Sequence, residues 1–246
     1  MDVIELLPRL HLFRFPVGQA YLWRDDEELT LIDAGPIGAG RPIADAVTSL
    51  GHSPGDVRRV VLTHFHEDHV GGAAEFAALS GAEVLAHRLD APFVRGERPG
   101  PPPRTEDWER PLHAAALAQL PPGPPEPPAS LTELSDGDVL GFGGGARVVH
   151  VPGHTDGSIA VFLPAYGVLF TGDTVAAAPD DGTPVPGVFN LDRGQLLASI
   201  RRMAELGAEV ACFGHGDPVL SGASAVLRSL GRGARRGQPT GTPASR

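Results

Sequence analysis

The run Leu62-Thr63-His64-Phe65-His66-Glu67-Asp68-His69-Val70-Gly71-Gly72 follows directly on the apolar stretch Val60–Leu62. Three His and one Asp fall within six residues, and imidazole and carboxylate are the groups that hold Zn²⁺ and similar divalent ions. If the segment leaves a strand in extended form, His64 and His66 project to the same side and reach one ion. Asp68 and His69, after a turn toward a helix near Gly71–Gly72, then point at a second ion beside it. A solvated polar loop with chance histidines accounts for one His far better than for three with an Asp.

Similar residues recur past later β-runs. His154 follows Val148–Val151, Asp173 follows Val168–Phe170, and His215 follows Glu209–Phe213. Each sits in a Gly-flanked turn, and in a layered α/β protein such strand ends converge on one cleft.

With these residues in place, the sequence resembles the metallo-β-lactamase superfamily, whose HxHxDH signature appears as His64–His69. The resemblance runs from Ile32-Asp33-Ala34-Gly35 to Phe213-Gly214-His215-Gly216, about residues 15–220. It implies an α/β fold, a four-layer αββα sandwich of two mixed sheets. It also implies a dinuclear centre, with one ion on His64, His66 and His154 and the other on Asp68, His69 and His215. Asp173 would bridge the two beside a water or hydroxide, and Asp33 would support the site from behind. Zinc is the first expectation, with iron or manganese as alternatives. The implied reaction is hydrolysis of a small thioester, ester or lactone, with Asp68 and Asp173 as the catalytic carboxylates that move the proton.

Within the superfamily, the residues narrow the expectation to the glyoxalase II-like group. Many β-lactamases place a Cys among their ligands, whereas Cys212 lies three residues before His215. His66 stands where the flavodiiron branch usually has Glu. Asp156 stands where relatives usually have Pro, and is expected to add a carboxylate near the ions. The absence of Lys leaves no clear basic clamp for the carboxylates of glutathione. One rival of another class is a mononuclear-iron persulfide dioxygenase of the same fold; another is a metal-binding module without catalysis.

Composition bounds the rest. The 246 residues carry 20 Lys+Arg, all Arg, against 30 Asp+Glu, a net charge of −10. An acidic chain has no field to attract nucleic acid, and a single Cys forms no internal disulfide. No apolar run reaches the roughly 20 residues that cross a bilayer, and no leader is visible at the amino terminus. The expectation is a cytoplasmic enzyme acting on a small molecule, with no nucleic-acid or membrane partner. Residues 1–230 are expected to form one domain.

Gly100–Pro103 and Pro121–Pro128 bracket a helix expected over Thr105–Leu120, within a Pro-rich insertion at 95–130. Trp108, Leu112, Ala115 and Leu120 would mark its apolar face, and the segment would border the cleft. Residues 231–246 read as a disordered tail. His11, His52 and His113 are expected at the surface, His87 and His150 in packing, and Cys212 as a small buried hydrophobe.

Overall fold

The computed structural model describes residues 1–232. The first half of the chain builds a seven-stranded sheet. Its strands are β1 (Asp2–Leu7), β2 (Leu10–Arg14), β3 (Gln19–Arg24), β4 (Leu29–Ile32), β5 (Val57–Val61), β6 (Glu83–His87) and β7 (Thr132–Leu134), in spatial order. The first four pair antiparallel through tight turns. From β4 onward the pairing is parallel, because helices now carry the chain back between strands. These connections hold α1 (Gly40–Ser49), α2 (Glu67–Val70), α3 (Ala73–Ser80), α4 (Ala91–Val94) and α5 (Arg110–Leu117).

The second half forms a five-stranded sheet from β8 (Val139–Leu140), β9 (Ala146–His150), β10 (Ile159–Leu163), β11 (Val168–Phe170) and a later strand. Between them come a small hairpin, β12 (Val175–Ala177) with β13 (Pro184–Pro186), and then α6 (Arg193–Ala204). The late strand β14 (Val210–Cys212) pairs parallel with β11, and α7 (Ala223–Gly231) follows. Both large sheets are mixed.

Side-chain alternation stacks these parts into four layers. On β3, Tyr21 and Trp23 face the other sheet while Ala20 and Leu22 face α1 and α3. On β10, Ile159, Val161 and Leu163 face inward, and Ala160 and Phe162 face α6 and α7. With both faces of each sheet covered, the strands read as continuous apolar runs. The αββα sandwich is therefore the observed architecture, with Cys212 in the layer between the sheets. No helix among the described residues is long and apolar enough to cross a membrane.

Two sequence expectations need correction. The helix of the insertion spans Arg110–Leu117, shorter than 105–120, with Pro111 in its first turn. The tail expected at 231–246 starts too early, since Gly231 closes α7; residues 233–246 lie outside the described part.

Candidate metal centre

The floor of one cleft is built where strands stop. The chain leaves β5 at Leu62, bends at Thr63 and His64, is extended at His66 (φ −67°, ψ 151°), and enters the single turn of α2. This loop sets the His64 and His66 rings edge to face with centroids 4.7 Å apart. Asp68 and His69 come from the helical turn. His154 arrives on the loop after β9, Asp173 on the 3₁₀ turn Gly172–Thr174 after β11, and His215 just past β14.

All seven predicted residues meet here, in three overlapping groups: His64, His66 and His154; Asp68, His69 and His215; and His64, His69 and Asp173. Within each group the potential ligand atoms lie within 4.8 Å of one another. Asp173 stands between the first two groups. Its Oδ2 lies 3.6 Å from His154 Nε2 and 3.1 Å from His215 Nε2, while its Oδ1 lies 3.2 Å from His69 Nε2. Asp68 Oδ2 is 3.2 Å from His215 Nε2.

Hydrogen bonds behind the rings aim their lone pairs inward. Thr63 donates its N–H to Asp33 Oδ1 at 2.7 Å and its hydroxyl to Oδ2 at 2.8 Å. That hydroxyl, already donating, accepts from His64 Nδ1 at 3.0 Å, and His69 Nδ1 donates to Asp33 Oδ2 at 2.9 Å. One carboxylate thus sets two rings, each with Nε2 turned to the cleft. Asp33 adopts φ 59°, a left-handed conformation that Asp tolerates better than most residues. On the other side, His154 Nδ1 donates to the carbonyl of Val188 at 3.1 Å.

The donor set fits divalent ions. His64 Nε2, His69 Nε2 and Asp173 Oδ1 are buried polar atoms with no hydrogen-bond partner, an arrangement costly unless a further group engages them. Gly214 keeps that space open: a Cβ there would collide with Asp173 Oδ1. Imidazole nitrogens and carboxylate oxygens, with no thiolate in reach, are suited to zinc and its neighbours.

Burial shapes the titration of the cluster. It lowers His64 well below its ordinary value, with His69 and His154 adding to the effect, and lowers His66 to about 3. Burial also acts downward on His215, but Asp173 and Asp68 outweigh it and raise the ring to about 10. For Asp173, burial pushes upward and is overcome by His215 and His69, so the carboxylate stays ionised.

One residue of the floor carried no sequence signal. Asp90 is fully buried, and its carboxylate accepts from Phe65 N–H at 3.1 Å, the Thr155 hydroxyl at 2.7 Å and Gly157 N–H at 2.8 Å. It therefore ties the loop of His64 and His66 to the loop of His154. Burial raises it to about 7 despite these bonds. It stands at the N-cap position of α4, yet its side chain makes no capping bond.

Above the floor lies a cavity of about 550 Å³. Residues 96–125 supply one wall, among them Pro101, Pro103, Ala116 and Leu117; Phe65, Phe93 and Phe189 supply others. Several expectations change here. Trp108 is 53% exposed and does not line the cavity, and Leu112 also faces out; the inward face of α5 is His113, Ala116 and Leu117. His113 is thus a cavity residue, its ring 4.8 Å from Phe189, and not merely a surface one. Asp156 is exposed and meets His150 through its backbone carbonyl at 2.8 Å, so its carboxylate does not join the cluster. Tyr21 is buried between the sheets, donating to the carbonyl of Phe213 at 2.7 Å. His87 packs flat on His150 with ring centroids 4.3 Å apart.

Comparison with known proteins agrees with this architecture. The sequence profile described as "Metallo-beta-lactamase superfamily" matches residues 14–215. The chain belongs to the metallo-β-lactamase superfamily and is a hydrolase of that superfamily. It is 28% identical over 234 residues to "Probable metallo-hydrolase YqjP" of Bacillus subtilis (strain 168), covering 84% of this chain and 70% of that one. It is 33% identical over 174 residues to the hydroxyacylglutathione hydrolase of Gloeobacter violaceus (strain ATCC 29082 / PCC 7421), covering 69% of this chain. It spans only 52% of that relative's length. Among solved structures, a metallo-beta-lactamase family protein from Thermus thermophilus superposes with a TM-score of 0.65 at 27% identity, covering 93% of this chain and 78% of that one. The metallo-beta-lactamase SMB-1 reaches a TM-score of 0.70 at 19% identity, covering 94% of this chain and 93% of that one, a likeness of fold alone.

Proposed function

We infer that the chain is a dinuclear, zinc-dependent hydrolase of a small ester, thioester or lactone. The observation that carries this reading is the gathering of His and Asp ligand atoms in two groups on either side of Asp173, with His64 Nε2, His69 Nε2 and Asp173 Oδ1 buried and without a hydrogen-bond partner. In this reading His64, His66 and His154 hold one ion and Asp68, His69 and His215 the other, with Asp173 between them. Ions bound there would acidify water and polarise an acyl carbonyl.

The chain's own residues then divide the remaining work. Asp33, through Thr63, keeps the His64 and His69 rings in one orientation, and Val188 does so for His154. Asp68 and Asp173, ionised and within 3.2 Å of His215 Nε2, accept the proton of the attacking water. They return it to the departing alcohol or thiol, so that water and ester become acid and alcohol. The kinship to relatives named for hydrolysis of hydroxyacylglutathione supports acyl substrates.

Elemental analysis of protein purified without added metal, with a panel of acyl esters, thioesters and lactones, tests the reading. Two zinc ions per chain with turnover of the panel are expected. One iron with oxygen uptake on persulfides would replace this reading by a dioxygenase, and protein without metal would point to a non-catalytic role.

A further inference from the structure

The cavity beside the metal cluster is far larger than the cluster needs. At about 550 Å³ it falls in the range that encloses a drug-sized molecule. An acetyl or lactoyl group would leave most of it unfilled. The composition of its walls therefore says what else the substrate carries.

One wall is a ladder of rings that starts at the cluster. The His66 and Phe65 centroids lie 4.7 Å apart, and Phe65 and Phe93 are again 4.7 Å apart. These rings are tilted against one another, and the Arg98 guanidinium lies over Phe93 at 4.8 Å at the end of the row. The opposite wall is Phe189 with Ala116, Leu117 and Leu120. Phe189 sits at φ 59°, a conformation unfavourable for a bulky residue that persists only where the surroundings enforce it. Its neighbours do so: Val188 accepts from His154, and the Asn190 carbonyl accepts from Arg104 N–H at 2.9 Å. Backbone strain is thus held in place beside an aromatic cavity wall.

The roof repeats the message. Pro99 and Pro101–Pro103 have no N–H to offer a polar substrate. At Gly100 a Cβ would run into the Phe65 ring, so the roof is seated directly on the ladder. Beside Glu67, Arg98 and His113 these walls are mainly rings, prolines and aliphatic groups, so an alkyl or aryl chain would lose water contact wherever it lies against them.

We propose that the substrate of this cleft carries an apolar acyl group several carbons long, lying along Phe65 and Phe93 beneath the Pro-rich roof. The location of the reacting carbonyl rests on the hydrolase reading above; the apolar channel stands on its own walls.

Straight-chain carboxylates from acetate to octanoate, the acids that such hydrolysis would release, are the probes. Their affinity for the zinc-loaded full chain is measured by titration calorimetry. Each methylene buried in the channel is expected to tighten binding by about two- to fourfold. Leu117→Asp, on a helix face that tolerates a polar residue, should flatten this dependence; Trp108→Ala, on the outer side of the roof, should leave it intact. Affinity that does not rise with chain length, no measurable binding, or a slope that survives Leu117→Asp would overturn the proposal. Octanoyl and acetyl esters of one alcohol separate it from the hydrolase reading. A binding slope without turnover removes the hydrolysis and keeps the channel, and turnover without a slope does the reverse.

Discussion

On the floor of the cleft the ligand side chains are held from behind by directional bonds: Asp33 alone takes two from Thr63 and one from His69, and Asp90 takes three from two loops. The roof above it is held otherwise. Among the described residues, 98–125 reach the rest of the chain through one hydrogen bond, Arg104 N–H to the Asn190 carbonyl, and through contacts of rings and prolines. Directional bonds fix the orientation of the rings, as ligand chemistry requires. Apolar contact fixes only shape, which is enough to select among acyl groups. The two halves should therefore fail differently when damaged.

The largest loss is expected on the floor, at Asp173. Asp173→Ser removes the carboxylate that reaches toward both groups while leaving three His on one side and Asp68, His69 and His215 on the other. Hydrolysis should fall on the order of a thousandfold or more, the scale of losing several kcal/mol of charge stabilisation. Metal per chain, measured after dialysis against a weak chelator, should drop by one ion. A variant keeping two ions and near-normal turnover would show that Asp173 is not the bridge.

Asp90 comes next and tests whether the floor depends on bonds behind the ligands. In Asp90→Asn, an amide NH₂ must face one of three donors, Phe65 N–H, Gly157 N–H or the Thr155 hydroxyl. Leaving one buried donor unpaired costs about 1–3 kcal/mol. Metal affinity should weaken by roughly 10- to 100-fold as the two loops lose their common anchor. Denaturation with and without zinc reads both effects; an unchanged affinity would make Asp90 a packing residue alone.

The same contrast explains what could be read from the chain. The cluster was legible because its seven residues sit where an apolar run stops, a local signal that survives without knowledge of the fold. The sheets were legible where both faces are buried, as in Leu29–Ile32 and Ile159–Leu163. The edge strand Asp2–Leu7 left no such mark, because it is mostly exposed or half-buried and followed at once by Pro8. Asp90 was invisible because its partners are 25 and 65 or more residues away and all three are backbone or hydroxyl groups that any sequence contains. In the insertion, Trp108 and Leu112 suggested an inward apolar face at helical spacing. The helix begins only at Arg110, and its orientation is set by the Phe189 wall and by Gly100 on Phe65, which no local periodicity encodes.

Damage to the roof should be milder and of another kind. Gly100→Val forces the roof off the Phe65 ring. For a long-chain ester the expected result is a loss of roughly tenfold in kcat/KM, about 1.4 kcal/mol, carried mainly by KM. Metal content should stay at the wild-type value. If zinc is lost as well, the roof is part of the centre's support and the division between the two halves is too sharp.

The smallest effect is expected at Asp156, and its smallness is informative. By its position two residues after His154 it promised a second negative charge near the ions, which would draw metal and repel anionic products. The structure turns it outward: the residue is exposed, and its contact with His150 is made by the backbone carbonyl, which any side chain preserves. Its charge is felt at Asp90 only weakly, behind burial and three hydrogen bonds. An exposed charge in high dielectric acts at most by a fraction of a kcal/mol on groups beyond contact, and salt screens it further. Asp156→Asn should therefore leave kcat/KM and zinc affinity within about twofold of wild type. The comparison is made at low and high salt, since a through-space effect would appear only at the former. A loss of tenfold or more at both would place the Asp156 carboxylate in the cleft during turnover, and the floor would then have a further member.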